Sequence, residues 1–242
     1  MSTVETGKFE PSTGTDLNLG ASGDAVTLPA GVTLKTNTIK DSGGNTIFTS
    51  DGSGTLSSVN SSLQGNMVFI SSATASASAT LDFTSGIDST YDEYVFYFVN
   101  INPVTDNVKF EFQGDTTGTS YAQTITSTAF TAWHRPDNDT SNLSYQGGND
   151  QAQGTAFQYL TTGISYDASH STCGELHLFA PSSTTYVKQF YGQTITRDMW
   201  DDLTDYIATA GYFNTTSAIT KIRFKLTSGN INAGTIYLYG IK

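Results

Sequence analysis

The stretch that most constrains this chain is residues 220–242, TKIRFKLTSGNINAGTIYLYGIK. Ile222, Phe224 and Leu226 alternate with Lys221, Arg223 and Lys225, the two-residue period of a strand with one buried face. Turn formers fill residues 228–234, and a second alternating run over 235–241 puts Ile236 and Leu238 on one face. Together the two runs predict a closing hairpin, and the chain is expected to finish inside its own sheet. The pattern points to a β architecture and names no chemistry.

The polar side of the composition agrees. Charged residues make up 14% of the 242 positions and hydrophobic residues 37%, against ~25% and ~45–50% (glycine included) in ordinary globular domains. Ser, Thr, Gly and Asn fill the difference, which suits pleated surfaces and tight turns. With 12% aromatics the chain does not read as disordered. A net charge of −11 would repel a phosphate backbone or an anionic membrane surface, so neither nucleic acid nor membrane is an expected partner. Cys173 is the single cysteine, which excludes a disulfide framework and suits a reducing cytoplasm. The opening MSTVETGKFEP carries no apolar core of a secretory signal, and no run approaches the ~20 apolar residues of a membrane-spanning helix.

Composition divides the chain near residue 65. Residues 1–65 hold two aromatics, Phe9 and Phe48, and thin apolar pairs such as Leu17-x-Leu19, Val26-x-Leu28 and Val32-x-Leu34. Ile39 and Ile47-Phe48 flank a Ser-Gly-Gly-Asn cluster as a hairpin would. Such a segment buries too little to offset its own backbone entropy, so it reads as an extended arm or a stem completed by copies of itself. Residues 66–242 hold about ten strand candidates with Gly, Asn and Pro between them, the mark of a two-sheet antiparallel sandwich, jelly-roll-like in spacing. Residues 94–99, YVFYFV, do not alternate and read as a central strand. Residues 197–210 place Met199, Trp200, Leu203, Tyr206 and Ile207 at helical spacing, which leaves helix and structured loop both open.

Chemistry-bearing motifs are sparse. No serine stands in a G-x-S-x-G elbow, and none of the three histidines sits in a metal-ligand spacing. His177 lies between Leu176 and Leu178, which places it on the outward face of a strand. Asp137-x-Asp139 and the clusters Gly43-Gly44-Asn45 and Asp51-Gly52-Ser53-Gly54 lack the remaining positions of calcium loops and read as turns. The acid pairs Asp82/Asp88, Asp92/Glu93 and Asp201/Asp202 offer no assignable glycosidase couple. No catalytic residue, metal site or cofactor is expected. The candidate contact cluster is Trp133, His134, Arg135, Asp137 and Asp139, with Tyr145 beyond: rings to stack on a sugar, and polar groups for its hydroxyls. The alternative is that Trp133 is the inward end of a strand and the rest a polar loop. Lys221, Arg223 and Lys225 gather three of eleven basic residues on one strand face. They are candidates for acids of a neighbouring subunit, with Tyr237 and Tyr239 in reach across the expected hairpin.

The run LNLGASGDAVTLPAGVTLKTNTIKDSGGNTIFTSDGSGTLSSVN resembles N-terminal segments of virion structural proteins from tailed phages of aquatic bacteria, cyanophages included. IDSTYDEYVFYFVNINP, LHLFAPSS and AGYFNTTSAITKIRFKLTSGNINAGTIYLYGIK are similar to the β-sandwich that follows in such proteins. The resemblance implies a non-enzymatic virion protein made in the host cytoplasm. The form expected is a homotrimeric tail fibre or spike, attached to other virion proteins through residues 1–65. Its sandwich loops would bind host-surface glycan or protein. A capsid decoration protein is the alternative, and a polysaccharide depolymerase is the alternative of another class.

Overall fold

Wherever the described chain carries the two-residue period, it forms strand. The computed structural model describes residues 36–59, 65–198 and 203–242, all of them strand, turn or irregular chain without a helix. The chain divides into two compact units, residues 1–63 and 64–242. The pairs Leu17-x-Leu19, Val26-x-Leu28 and Val32-x-Leu34 lie outside the described residues, as does the acid pair Asp201/Asp202.

In the first unit, β1 (Thr38–Lys40), β2 (Thr46–Ser50) and β3 (Leu56–Val59) form an antiparallel meander. Ile39 pairs with Phe48, and the Ser-Gly-Gly-Asn cluster turns the hairpin between them as expected. Asp41 makes that turn, accepting the Gly43 and Asn45 amides at 2.9 and 2.8 Å. Asp51 repeats the device on the Ser53 and Thr55 amides at 2.8 and 3.1 Å. Both carboxylates therefore act as turn acceptors.

The second unit is an antiparallel β-sandwich of unequal sheets. Its strands are β4 (Met67–Thr74), β5 (Thr80–Phe83), β6 (Glu93–Pro103), β7 (Phe110–Asp115) and β8 (Ile125–His134). The short strands β9 (Ser141–Tyr145), β10 (Ala152–Gly154) and β11 (Gln158–Tyr159) follow. The series closes with β12 (Thr172–Phe179), β13 (Lys188–Arg197), β14 (Thr204–Phe213), β15 (Lys221–Leu226) and β16 (Ile231–Ile241). Nine strands form one sheet in the order β10-β8-β14-β13-β12-β6-β16-β4, with β9 also on β8. Four form the other, β11-β7-β15-β5.

The expected closing hairpin is corrected here. Both of its strands form, but β15 joins the four-stranded sheet and β16 the nine-stranded one. Residues 227–230 carry the chain from one layer to the other. Ile222, Phe224 and Leu226 thus meet Ile236 and Leu238 across the core, all of them buried. Phe224 is the hub, with ring centroids of Phe83, Phe96, Phe98, Phe110 and Phe112 between 5.3 and 6.2 Å away. Most of these pairs are edge-to-face, the arrangement that the ring quadrupole favours.

Two other expectations resolve in this unit. β6 is central, between β12 and β16, as its unbroken apolar run implies. Residues 204–210, the end of the helically spaced stretch, are strand, because β13 and β8 pair with β14 over its whole length. Positions 199–202 lie outside the described residues. At Gly234, in the bulged start of β16, φ is +117° and an added Cβ would lie 2.6 Å from the Asn100 carbonyl oxygen. Only glycine fits there.

Candidate functional site

The cluster expected around Trp133 is divided by the fold. β8 and β9 form a hairpin, with Arg135 N–H donating to the Thr140 carbonyl at 3.2 Å and Asn138 N–H to the Arg135 carbonyl at 3.2 Å. Asp137 closes the turn by accepting the Asp139 amide at 3.0 Å. Trp133 is half-buried, opposite Asp205 and Asn142, and shares its parity with buried Ala129 and Thr131. It is the inward end of its strand. His134 points the other way and is exposed. The two still line one open groove of about 650 Å³ with Asn142, Leu143 and Thr204, whose lining does not include Arg135, Asp137 or Asp139. Tyr145 lies apart, opposite Phe130, with its hydroxyl donating to Asp150.

The basic stripe of β15 has partners within its own chain. Arg223 forms a two-pronged ion pair with Asp82, at 2.7 and 2.6 Å, and its guanidinium lies 4.1 Å from the centre of the Tyr121 ring. That bonding to Asp82 raises the Arg223 pKa further. Lys225 sits 2.7 Å from Glu111 and over the Phe157 ring, and Lys221 donates to the Gly118 carbonyl at 2.8 Å. Tyr237 and Tyr239 are not these cations' partners, because β16 belongs to the opposite sheet. Acids proposed for a neighbouring subunit are therefore supplied by β5 and β7.

Sequence reasoning missed the outer face of the nine-stranded sheet. Registry across β4, β16, β6, β12, β13, β14, β8 and β9 aligns outward side chains into rows perpendicular to the strands. One row runs Tyr237, Tyr97, Glu175, Gln193, Ala208, Phe130, Tyr145. The next runs Phe69, Tyr239, Val95, His177, Tyr191, Ala210, Thr128. On the other side of the first lies Ile195, Tyr206, Ala132, Leu143. Large apolar side chains remain open to solvent here: Phe69 55%, Phe130 45%, Leu143 69% and Ile195 58% exposed. Seen singly, such residues are ordinary; here they share one face of one sheet.

Between the rings runs a trough. Its middle, about 250 Å³, has Ala208 and Ala210 as floor and Phe130, Tyr191 and Tyr206 as walls. One end, about 360 Å³, shares Tyr206 and Gln193 and adds Tyr97, Glu175 and Ile195. The other, about 530 Å³, shares Tyr191 and Ala210 and adds Phe179, Gln189 and Tyr212. His177 braces one wall: its ring stacks on Tyr191 at 4.4 Å and 11°, and Nδ1 donates to Glu93 at 2.5 Å. Its outward placement on β12 is as expected, and Nε2 lies 3.4 Å from Glu175. Burial, with Glu175 next, raises the phenol pKa of Tyr97 and Tyr191, so both rings stay neutral donors at physiological pH.

Three of the acids singled out in the sequence, Asp82, Asp88 and Glu93, are engaged in holding the fold. Asp82 pairs with Arg223, and Glu93 with His177. Asp88 accepts the Thr90 amide at 2.8 Å and the Tyr94 hydroxyl at 3.1 Å. Among the described residues no three His, Cys, Asp or Glu side chains converge as metal ligands would. Comparison with protein-family models, curated proteins and solved structures finds no match for this chain.

Proposed function

We propose that this protein is a non-enzymatic virion structural protein of the fibre or spike type. In this reading it assembles as a homotrimer and uses its sandwich to contact the host surface. One observation carries the reading. The larger sheet leaves a ring-lined outer face open to solvent, while Asp82, Asp88 and Glu93, three of the acids considered for a hydrolase, are engaged in intrachain bonds. A face of that kind binds; it does not supply a general acid and a nucleophile at a set separation.

The sequence resemblance supports the virion context, and the two-unit organisation supports the division of labour. Residues 1–63 would dock to other virion proteins and gather three chains, and residues 64–242 would present three copies of one surface. Three weak contacts on one particle add by effective concentration. The intrachain partners of Arg223 and Lys225 on β15 support a reading in which assembly falls to the first unit instead. Light scattering of the full chain tests the reading. A trimer of 25.9 kDa chains gives a mass of about 78 kDa. A single species at the monomer mass would refute it.

A further inference from the structure

We infer that the trough on the outer face of the nine-stranded sheet is a binding site for a neutral polysaccharide segment, and that the strand face, not the loops, makes the contact. The inference rests on the binding role proposed above and names its ligand class.

The walls come first. A pyranose ring offers an apolar face of axial C–H groups and an equatorial rim of hydroxyls. It needs a flat ring to stack on and donors and acceptors beside that ring. Tyr191, Tyr206 and Phe130 supply the rings around a floor of two alanines, Ala208 and Ala210, small enough to let a sugar settle between them. Gln193 is exposed between Tyr191 and Tyr206 and offers both amide donors and a carbonyl acceptor. Tyr191 is held in place by the stacked His177 ring, so its orientation is set before any ligand arrives.

Length and charge narrow the occupant. Tyr206 lies opposite Ile195, four residues along β13 from Tyr191. At ~3.3 Å per residue that offset is ~13 Å, with one strand spacing of ~4.8 Å across. The two backbone positions are therefore ~14 Å apart, room for a sugar on the alanine floor and for its neighbours in one extended chain beyond each ring. The trough continues past both of them and stays open along the sheet surface, which suits the interior of a polymer. No lysine stands in the aligned rows; their acids are Glu175 and, for the His177 bond, Glu93. With a net charge of −11 on the whole chain, an anionic polysaccharide is repelled. The same acids disfavour a second copy of this face, which would bring Glu175 towards its own kind without a lysine to match. A neutral glycan is left.

Native electrophoresis of the full-length protein tests the site, in gels cast with dextran, galactomannan, mixed-linkage β-glucan or, as the anionic arm, alginate. The expected result is retardation in at least one neutral gel and none in alginate. Tyr191→Ala/Tyr206→Ala should weaken binding tenfold or more, and Tyr206→Phe, which keeps the ring, should stay within threefold of the parent. Phe130→Ala/Gln193→Ala changes two exposed side chains and should lose binding likewise, which keeps the test decisive if the tyrosine variant misfolds. Migration in all three neutral gels equal to that in a polysaccharide-free gel overturns the inference. So does retardation that survives both double variants but is lost in Trp133→Ala, which would return the contact to the hairpin. A fall in light-scattering mass of either double variant would make the face a subunit interface and overturn it too. A parent protein that is monomeric yet retarded would defeat the trimer reading and leave the glycan site standing.

Discussion

Replacing Phe224 with alanine should remove more stability than any other single truncation in the sandwich. Its side chain is fully buried and lies within 6.2 Å, centroid to centroid, of five other phenylalanines contributed by both sheets. A buried phenylalanine removes ~150–250 Å² from water, and at ~25 cal/mol per Å² that is ~4–6 kcal/mol. Part of that area is already covered in the unfolded chain, and alanine retains a methyl group, which brings the figure to about 4–5 kcal/mol. Urea unfolding of the full chain, followed by far-UV circular dichroism, reads the change. With a slope of about 2 kcal/mol per molar, the midpoint should fall by ~2 M. Phe130→Ala is the control. The same residue type, on the nine-stranded sheet and 45% exposed on its outer face, should shift the midpoint by less than ~0.5 M. Equal shifts for the two variants would refute the placement of the core between the sheets.

Three further outcomes follow. Arg223→Glu places a carboxylate against Asp82; because both side chains are about 30% exposed, the cost to folding should be only about 1–2 kcal/mol. Trimer mass should be unchanged in the same variant, and loss of assembly without loss of stability would restore β15 to the subunit contact. Gly234→Ala should cost more than ~2 kcal/mol in the same urea assay, since φ +117° is strained for alanine and its Cβ meets the Asn100 carbonyl. A midpoint equal to the parent's would show that β16 has no bulge there. Stability should also fall at alkaline pH. Burial raises the phenol pKa of Tyr94, Tyr97, Tyr121 and Tyr191 above the ordinary 10.0. The unfolded chain then releases protons first, so these groups stabilise fully below pH 10 and lose that contribution as pH rises through their folded values. Lys109 and Lys188, lowered from 10.5 by burial, act in the opposite sense as pH approaches 10.5. Thermal unfolding between pH 9 and 11 of the parent and of Tyr97→Phe/Tyr191→Phe isolates the phenols: the parent should lose more stability than the variant, and identical slopes would contradict the burial of these two rings.

How much of this was legible in the sequence depends on the range of the interaction. Alternation at 222–226 and 236–238 shows which side chains of each strand are buried, and both strands are where the pattern puts them. It cannot show which sheet each joins, because two strands that face one core from opposite sides carry the same pattern as two hairpin partners. Tyr206 and Ile207 fit a helical period and a strand equally well over so short a stretch. Pairing with β13 and β8 decides between them, and that is a long-range term. The hairpin at Asp41 was readable because its turn chemistry is local. The trough was not readable at all. Phe130, Tyr191 and Tyr206 become neighbours only through the registers of three strands, and in the sequence each is one aromatic in a polar run. Trp133, the most conspicuous aromatic, drew the eye to a hairpin whose polar residues mostly bond to one another.

Hydroxyl-radical footprinting of the full-length protein, alone and saturated with the neutral polysaccharide that retards it most, tests the central claim directly. The account predicts protection of Phe130, Tyr191, Tyr206 and Tyr212 on the outer sheet face, and unchanged labelling of Tyr166, 57% exposed on a loop away from that face. Protection confined to Trp133 and His134, with the four sheet rings labelled as in the free protein, would contradict it.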